Sequence, residues 1–583
     1  MYNTFMDFRA IKKKSIKVLF CVVISLIFVK TLLNPGLLSF DDTTFHINRL
    51  QGIVNAFEDG QILTKIYPYS NNGYGYPLSL FYCDLFLYPF AIIYKLGCPI
   101  VISYKIMIII YSFLASLSIM LFSSKIFVNK RYAPYITTVL YTFNNYRFSD
   151  VYLRGAVGEI LSFIVIPFVL YEMYRIFYKK ENSYAALGVS FGLLVLCHNV
   201  TFIIYVYFFL IFYILFVSIN ITDKRIILQQ TKNILLAVAI AIGISSFYVF
   251  PMIEQLLDKE LFLTKYGFYS LVTGEPIEVV KYLSNSITSI AKEDRSNMGL
   301  FLIISPLLYL LCQKKNINLT LLYIVLLYFG FCFIVKIPTI TELINKAGVI
   351  QYRWRTNVFL FPVLSICTTY CLVNISKKII PVIYLCFVFF SIIINICAVD
   401  RLYKKAVLNN IDDYATHDEI FNIKLMEGDG RLFNAIELSG VEYLPDINYD
   451  YLHNNGYICS AEGYRIEELL DNNNSYIEYD RHGTHINFSY NLEEPTNLTV
   501  PLTYYKGYKA YAITEENKLV QLSASREEAR GLVIFKGVLG NATYYVYYEG
   551  TIIQKISLIV SFLTCIYFVV RYIISYRNTR VYN

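Results

Sequence analysis

Charge is scarce in this 583-residue chain: Asp, Glu, Lys and Arg make up 16% of it against 56% hydrophobic residues, and the mean hydropathy is +0.48. A soluble fold carries about 25% charged residues. Here the apolar residues gather into repeated runs near the roughly 20 residues that a bilayer crossing needs, which marks a polytopic α-helical membrane protein. Cysteine is badly placed for a disulfide framework. Most of the twelve lie in or beside apolar runs, and Cys459 is the only one in the long polar region. There is no Walker loop and no dinucleotide fingerprint, which argues against a soluble nucleotide substrate. There is no internal repeat and no low-complexity linker. The net charge of +8 sits largely in short loops between apolar runs, where it sets orientation, so no nucleic acid is implied. The first residues, MYNTFMDFRAIKKKSIK, are basic, but the Val18–Leu38 run after them is longer than a signal-peptide core and has no small-residue cleavage site. It reads as a retained first helix.

Orientation comes from the basic loops. With Lys12, Lys13, Lys14 and Lys17 inside, the first helix leads outward, and the runs Ile102–Phe122, Pro134–Phe143, Ile160–Phe177, Ala185–Cys197, Phe202–Ile219 and Ile234–Ile253 alternate after it. Gly299–Cys312, Leu319–Val335, Val358–Val373, Ile379–Val399 and Ile552–Ile574 complete the series. Each inner loop then carries Lys or Arg, as at Lys130, Arg131, Lys179, Lys180, Lys224, Arg225, Lys377 and Lys378. The expectation is about twelve spans with both termini cytoplasmic. Leu78–Leu96, broken by Asp84 and Pro89, suits a helix lying on the outer surface. Between Asp400 and Gly550 the pattern changes to short alternating runs such as His485–Tyr490, Leu498–Val500, Gly531–Phe535 and Tyr544–Tyr548, separated by Gly, Asn and Asp. This is the signature of an extracellular β-sandwich inserted before the last span. The expected domains are therefore a transmembrane part at 1–399 with an outer loop at 39–100, a mainly-β domain at 400–550, and a final helix with a basic tail at 551–583.

The residues hardest to explain as helix filler all fall on the outer side: Asp41, Asp42, His46, Arg49, Asp84, Arg154, Glu159, His198, Arg353 and Arg355. One polar cleft would collect them. Each also has a plainer reading. Asp41 and Asp42 could cap a surface helix, His198 could be a hydrogen-bonded helix-end histidine, and Arg154 with Glu159 could be a structural ion pair. Arg353 and Arg355 flank the only Trp of the chain, so they are either an interfacial anchor or a guanidinium fork for phosphate.

Several stretches carry a resemblance. FDDTTFHINRLQGIVNAFEDGQI, NNGYGYPLSLFYCDLFLYPFAIIYKLG, YTFNNYRFSDVYLRGAVGE, LCHNV, QYRWR, GVEYLP and PLTYYKGYKAY resemble bacterial YfhO-like membrane proteins and the membrane proteins related to 6-pyruvoyl-tetrahydropterin synthase. No zinc-binding histidine triad at a synthase-like spacing accompanies the likeness. The first span followed by an acidic outer loop also looks like the glycosyltransferase C (GT-C) superfold. That resemblance implies transfer of a sugar from a polyprenyl-phosphate carrier to a cell-surface glycan, teichoic acid, lipid or protein. It implies a first-loop acid, Asp42 or Asp41, as catalytic base, and Arg353 and Arg355 as holders of the departing phosphate. His198, Arg154, Glu159, His46, Arg49 and Asp84 would line the substrate site. Some members use a divalent metal, which here would sit on Asp41 and Asp42; the sequence does not require one. Two rivals stand beside this reading. One is a lipid-linked-sugar flippase or transporter, which calls for ionisable residues near the middle of several spans and paired halves. The other is a non-catalytic glycan-binding scaffold, for which a single anchor would suffice.

Overall fold

The structure is a computed structural model that describes residues 2–38, 41–71, 73–258, 261, 278–287, 290, 294–300, 302, 304, 352–409, 414–415, 469–470, 476–528 and 531–581. Among these, seven helices are long and apolar enough to cross a membrane: Ile100–Ile126, Val157–Tyr178, Asn199–Ile219, Lys224–Leu257, Trp354–Asn374, Ile379–Lys404 and Ile552–Arg571. The expected spans Pro134–Phe143 and Ala185–Cys197 appear as shorter helices, Ala133–Thr142 and Tyr184–Cys197. Those expected at Gly299–Cys312 and Leu319–Val335 lie almost entirely outside the described residues. The first helix, Tyr2–Phe28, is not among the seven, because Lys12, Lys13, Lys14 and Lys17 occupy its middle. It also ends earlier than its apolar run: a 3₁₀ turn, Lys30–Leu33, precedes Asn34, Pro35 and Gly36. Proline removes a donor and glycine favours a turn, which ends the helix there although Leu37 and Leu38 continue the hydrophobicity.

The chain divides into two compact units. The first comprises Met1–Thr44, Val101–Ala239 and Phe268–Asp418. Its helices pack through small hydroxyl residues: Ser25 meets Ser116 at 3.1 Å, Ser116 meets Thr142 at 2.9 Å, and Thr137 donates to Thr369 at 2.9 Å. Helices immersed in lipid gain little from burying more hydrocarbon, so close approach and interhelical hydrogen bonds hold them together. Aromatic stacking adds to this, with Phe208 and Phe359 parallel at 3.6 Å. The helix Ile379–Asn409 runs past the expected boundary at Val399. Asp400 continues it because Lys30, at 2.8 Å, and Thr31, at 2.6 Å, hold its carboxylate. Leu37–Leu38 pairs antiparallel with Tyr414–Ala415.

The second unit comprises Phe45–Ile100, Ile240–Gly267 and Glu419–Asn583. Among the described residues its β-domain includes a pair of short strands, Leu469–Leu470 and Tyr476–Ile477, and the strands β1 (Asp480–His482), β2 (His485–Leu492), β3 (Asn497–Thr503), β4 (Tyr508–Thr514), β5 (Leu519–Leu522), β6 (Ser525–Arg526), β7 (Leu532–Lys536) and β8 (Gly540–Tyr548). The labelled strands form two antiparallel sheets, ordered β1-β2-β8-β4-β5 and β6-β7-β3. Alternation puts Ile486, Phe488, Ala510, Ala512, Tyr544 and Val546 of one sheet against Leu498, Val500, Val533 and Phe535 of the other. Ile66, far earlier in the chain, joins the same core. The loop around it is fastened to the sandwich by Arg481, which donates to the Pro68 carbonyl at 3.0 Å and to the Gly73 carbonyl. Asp59 accepts from the Thr484 backbone at 3.0 Å and from its hydroxyl at 2.7 Å. The Ile552–Val581 helix packs on the Ile240–Asp258 portion of a long helix, where Ser246 meets Ser561 at 2.8 Å.

Candidate functional site

Asp41 and Asp42 form a turn immediately before the helix Thr43–Glu58. The turn is pinned from behind: the Asp42 backbone N–H donates to the Arg154 carbonyl at 2.7 Å. Gly155 makes this approach sterically possible. Its φ is +64°, and a Cβ there would come within 2.9 Å of the Thr43 N and Cα. The two acids then differ in their surroundings. Asp41 is held by Arg295, whose Nε and a terminal nitrogen donate to its two oxygens at 2.7 and 2.8 Å. The Asp42 carboxylate is partly buried and has no hydrogen-bond or ion-pair partner among the described residues. Burial above all pushes the Asp42 carboxyl up from its ordinary range. Arg154 and Arg355 pull it back down, while Asp41 and Glu159 raise it further.

Arg154 sits at the centre of a buried ion cluster. It closes a single π-helical turn, Asp150–Arg154, in which Asp150 stands four residues earlier on the same face. One terminal nitrogen of Arg154 donates to Asp150 Oδ1 at 2.5 Å, and both reach Glu159, at 3.2 and 2.9 Å. Tyr146 donates its hydroxyl to Glu159 at 2.6 Å. Glu159 lies in the first turn of Val157–Met173, where the helix dipole favours a carboxylate. Arg355 completes the cluster. Its Nε makes an ion pair with Glu159 at 3.4 Å, its guanidinium lies 5.2 Å from the Tyr352 ring, and its side chain keeps 11% exposure. Its two terminal nitrogens carry no hydrogen bond among the described residues. A cation fixed through one nitrogen with its remaining donors unspent is built to receive an oxyanion.

His198 caps the helix Asn199–Ile219: its Nδ1 accepts from the Thr201 backbone at 3.3 Å and lies 2.8 Å from the Thr201 hydroxyl. It is also within electrostatic reach of Glu159. The Arg353 side chain lies outside the described residues. His46, Arg49 and Asp84 belong to the second unit and form a separate network there. Arg49 is 1% exposed; it donates to Asp84 Oδ1 from two nitrogens, at 3.0 and 2.6 Å, to the Cys83 carbonyl at 3.0 Å, and lies 3.2 Å from His46 Nδ1. Asp84 Oδ2 accepts from Tyr67 at 2.7 Å and from Ser79. Gly52 opens the space for Tyr67, since a Cβ there would fall 2.6 Å from the ring.

Three cluster members escaped the sequence reading. Asp150 carried a readable signal, an acid one helical turn before Arg154. Tyr146 and Arg295 carried none, because a tyrosine in a tyrosine-rich chain and an arginine in a long loop are unremarkable until folding sets them against Glu159 and Asp41. Among the described residues no group of three or more His, Cys, Asp or Glu side chains is placed to hold a metal ion. Arg295 occupies both Asp41 oxygens in this arrangement.

Three comparisons bear on identity. An uncharacterized protein of Lactococcus lactis subsp. cremoris is 28% identical over 225 residues, which are 37% of this chain and 36% of that protein. The match therefore spans little more than a third of the relative's length. The arabinofuranosyltransferase AftD from Mycobacteria aligns in structure with a TM-score of 0.41 and 11% identity, over 65% of this chain and 27% of that one. The model of the 6-pyruvoyl-tetrahydropterin synthase related domain, described as a membrane protein, matches residues 80–405. That is more than half of the chain, and the Asp150–Arg154–Glu159–Arg355 cluster falls within it, so this protein belongs to the 6-pyruvoyl-tetrahydropterin synthase related family of membrane proteins.

Proposed function

We propose that the protein is a membrane glycosyltransferase that moves a sugar from a polyprenyl-phosphate carrier to an acceptor hydroxyl on a cell-surface glycan, lipid or protein. The observation that carries this reading is the division of labour at the paired acids. Arg295 occupies Asp41, while Asp42 has no partner among the described residues, has its carboxyl raised, and faces the field of Arg154 and Arg355. A general base needs a free carboxylate of raised basicity. A departing phosphate needs preorganised cations close by.

In the proposed reaction Asp42 takes the proton of the acceptor hydroxyl as its oxygen attacks the anomeric carbon. The bond to the carrier's phosphate oxygen breaks, and the electron pair leaves on the phosphate. Arg355 receives that charge through its unspent terminal nitrogens, with Arg353, two residues earlier, as the second arm of the fork. Glu159 holds Arg355 and Arg154 together, Arg154 offers a further cation to the departing phosphate, and His198 stands at the edge of the site. Asp41 holds Arg295 and so orients the turn. In the second unit His46, Arg49 and Asp84 brace the helix that starts at Thr43. The Asp41–Asp42 turn, the Arg353–Arg355 segment and the β-domain are assigned to the outer membrane face, and both termini to the cytoplasm, because this arrangement puts the basic loops inside.

The test replaces each acid by Asn in the full-length chain and measures sugar transfer from polyprenyl-phosphate-linked donors in membranes, with protein abundance as control. Asp42→Asn is expected to lose about 10²- to 10⁴-fold in rate at normal abundance. Asp41→Asn is expected to keep most of it. Wild-type transfer in Asp42→Asn would overturn the assignment.

A further inference from the structure

Arg147 is 0% exposed, and none of its three guanidinium nitrogens has a hydrogen-bond partner among the described residues. Instead it lies among rings, 5.1 Å from Phe28, 5.3 Å from Tyr141 and 5.4 Å from Phe163. Rings attract the charge but cannot accept its five N–H donors in the plane of the guanidinium, so the residue is only half accommodated. A buried arginine normally finds a carboxylate. One is close at hand. Asp150, three residues on along the same helical stretch, is also 0% exposed, and its Oδ2 has no partner although Oδ1 is bound by Arg154. Residues three apart on a helix are neighbours, and the two charges already interact. Two unsatisfied and opposite groups therefore stand three residues apart on one helical stretch next to the candidate site, without forming an ion pair.

Counting charges gives this a purpose. Among the described residues three acidic side chains, Asp42, Asp150 and Glu159, face two engaged guanidiniums, Arg154 and Arg355. If Arg154 turns the terminal nitrogen that binds Asp150 toward an incoming phosphate, Asp150 loses its direct partner among the described residues. We propose that Arg147 is a positioning residue that takes over Asp150 when Arg154 engages the donor's phosphate, so that a resting ion pair is exchanged rather than broken. This rests on the polyprenyl-phosphate reading given above. Arg147 touches no substrate; it acts by keeping Asp150 neutralised, and its aromatic surround stores the cation until then.

The experiment uses the full-length protein in lipid nanodiscs and polyprenyl phosphate as the probe. Arg147→Met is expected to weaken binding about tenfold, within the range of couplings between neighbouring buried charges. Adding Asp150→Asn removes the carboxylate that needs a second cation, so the double variant is expected to recover to within about threefold of wild type. Arg147→Lys, which keeps the charge, is expected to bind better than Arg147→Met. Additive losses in the double variant overturn the proposal, because they would show that Arg147 does not act through Asp150. If the wild type does not bind polyprenyl phosphate, the donor reading fails instead. The Arg147–Asp150 pairing is then judged by thermal unfolding, where additive midpoints for the single and double variants would overturn it as well.

Discussion

Gly155 offers a way to move Asp42 without touching any charge. Replacing it by Ala forces a residue with a Cβ into φ +64°, which costs roughly 1–2 kcal/mol. The new Cβ would also stand 2.9 Å from the Thr43 N and Cα, closer than real contacts allow, so the Asp41–Asp42 turn must retreat. That retreat breaks the 2.7 Å hydrogen bond from the Asp42 N–H to the Arg154 carbonyl, a further loss of about 0.5–1.5 kcal/mol. The expected destabilisation is about 1.5–3.5 kcal/mol, or roughly 1–3 °C in the unfolding midpoint of a chain this long. Gly60 is the control. Its φ is +82° and an added Cβ would meet nothing within 4 Å, so Gly60→Ala carries the conformational cost alone. The assay is thermal unfolding of both variants in detergent together with sugar transfer in membranes. A displacement of about 1 Å at a catalytic group costs up to about 10²-fold, so Gly155→Ala is expected to lose transfer out of proportion to its stability while Gly60→Ala keeps it. Equal behaviour of the two variants would refute the reasoning that Gly155 seats Asp42.

The raised carboxyl of Asp42 predicts the shape of the pH profile. As a base it must be ionised, so transfer should fall on the acid side at a pH above the value of about 3.9 typical of aspartate. Asp41→Asn removes a neighbouring negative charge and is expected to move that limb to lower pH, whereas Arg355→Met is expected to move it higher; a limb that neither variant shifts would remove Asp42 from the titrating role. The same direction of shift means the folded chain holds the proton more tightly than the unfolded chain. Asp42 therefore contributes stability at low pH that is lost as the pH rises through its folded-state value. In the second unit, Asp84→Asn leaves Arg49 buried without its carboxylate and is expected to cost about 3–5 kcal/mol, seen as lower abundance and an earlier melt. The apolar double variant Arg49→Met/Asp84→Leu should recover much of that loss. Unchanged stability in Asp84→Asn with transfer abolished would instead put Asp84 in the chemistry.

Hydropathy by itself determined that this is a membrane protein, since runs such as Asn199–Ile219 and Ile552–Arg571 have one physically sensible environment. Period-two alternation at His485–Leu492 and Gly540–Tyr548 marked a β-domain near the carboxyl end, because only a half-buried strand repeats every second residue. The motifs around Asp41, Arg154, His198 and Arg355 were legible as an unusual concentration of charge in an apolar chain. Their partners were not. Helix ends were misjudged where a local device outweighed hydropathy, as with Pro35 after Phe28, and where a distant ion pair extended a helix, as with Asp400 held by Lys30. Local pattern also could not separate Asp41 from Asp42. What separates them is Arg295, 254 residues away, whose guanidinium neutralises one acid and leaves the other to burial and to the field of Arg154 and Arg355. Hydrophobicity and periodicity act between near neighbours in the chain, so sequence alone determines environment and element type. Which carboxylate is free and which arginine lacks a partner depends on contacts between remote segments, and only the tertiary structure decides them.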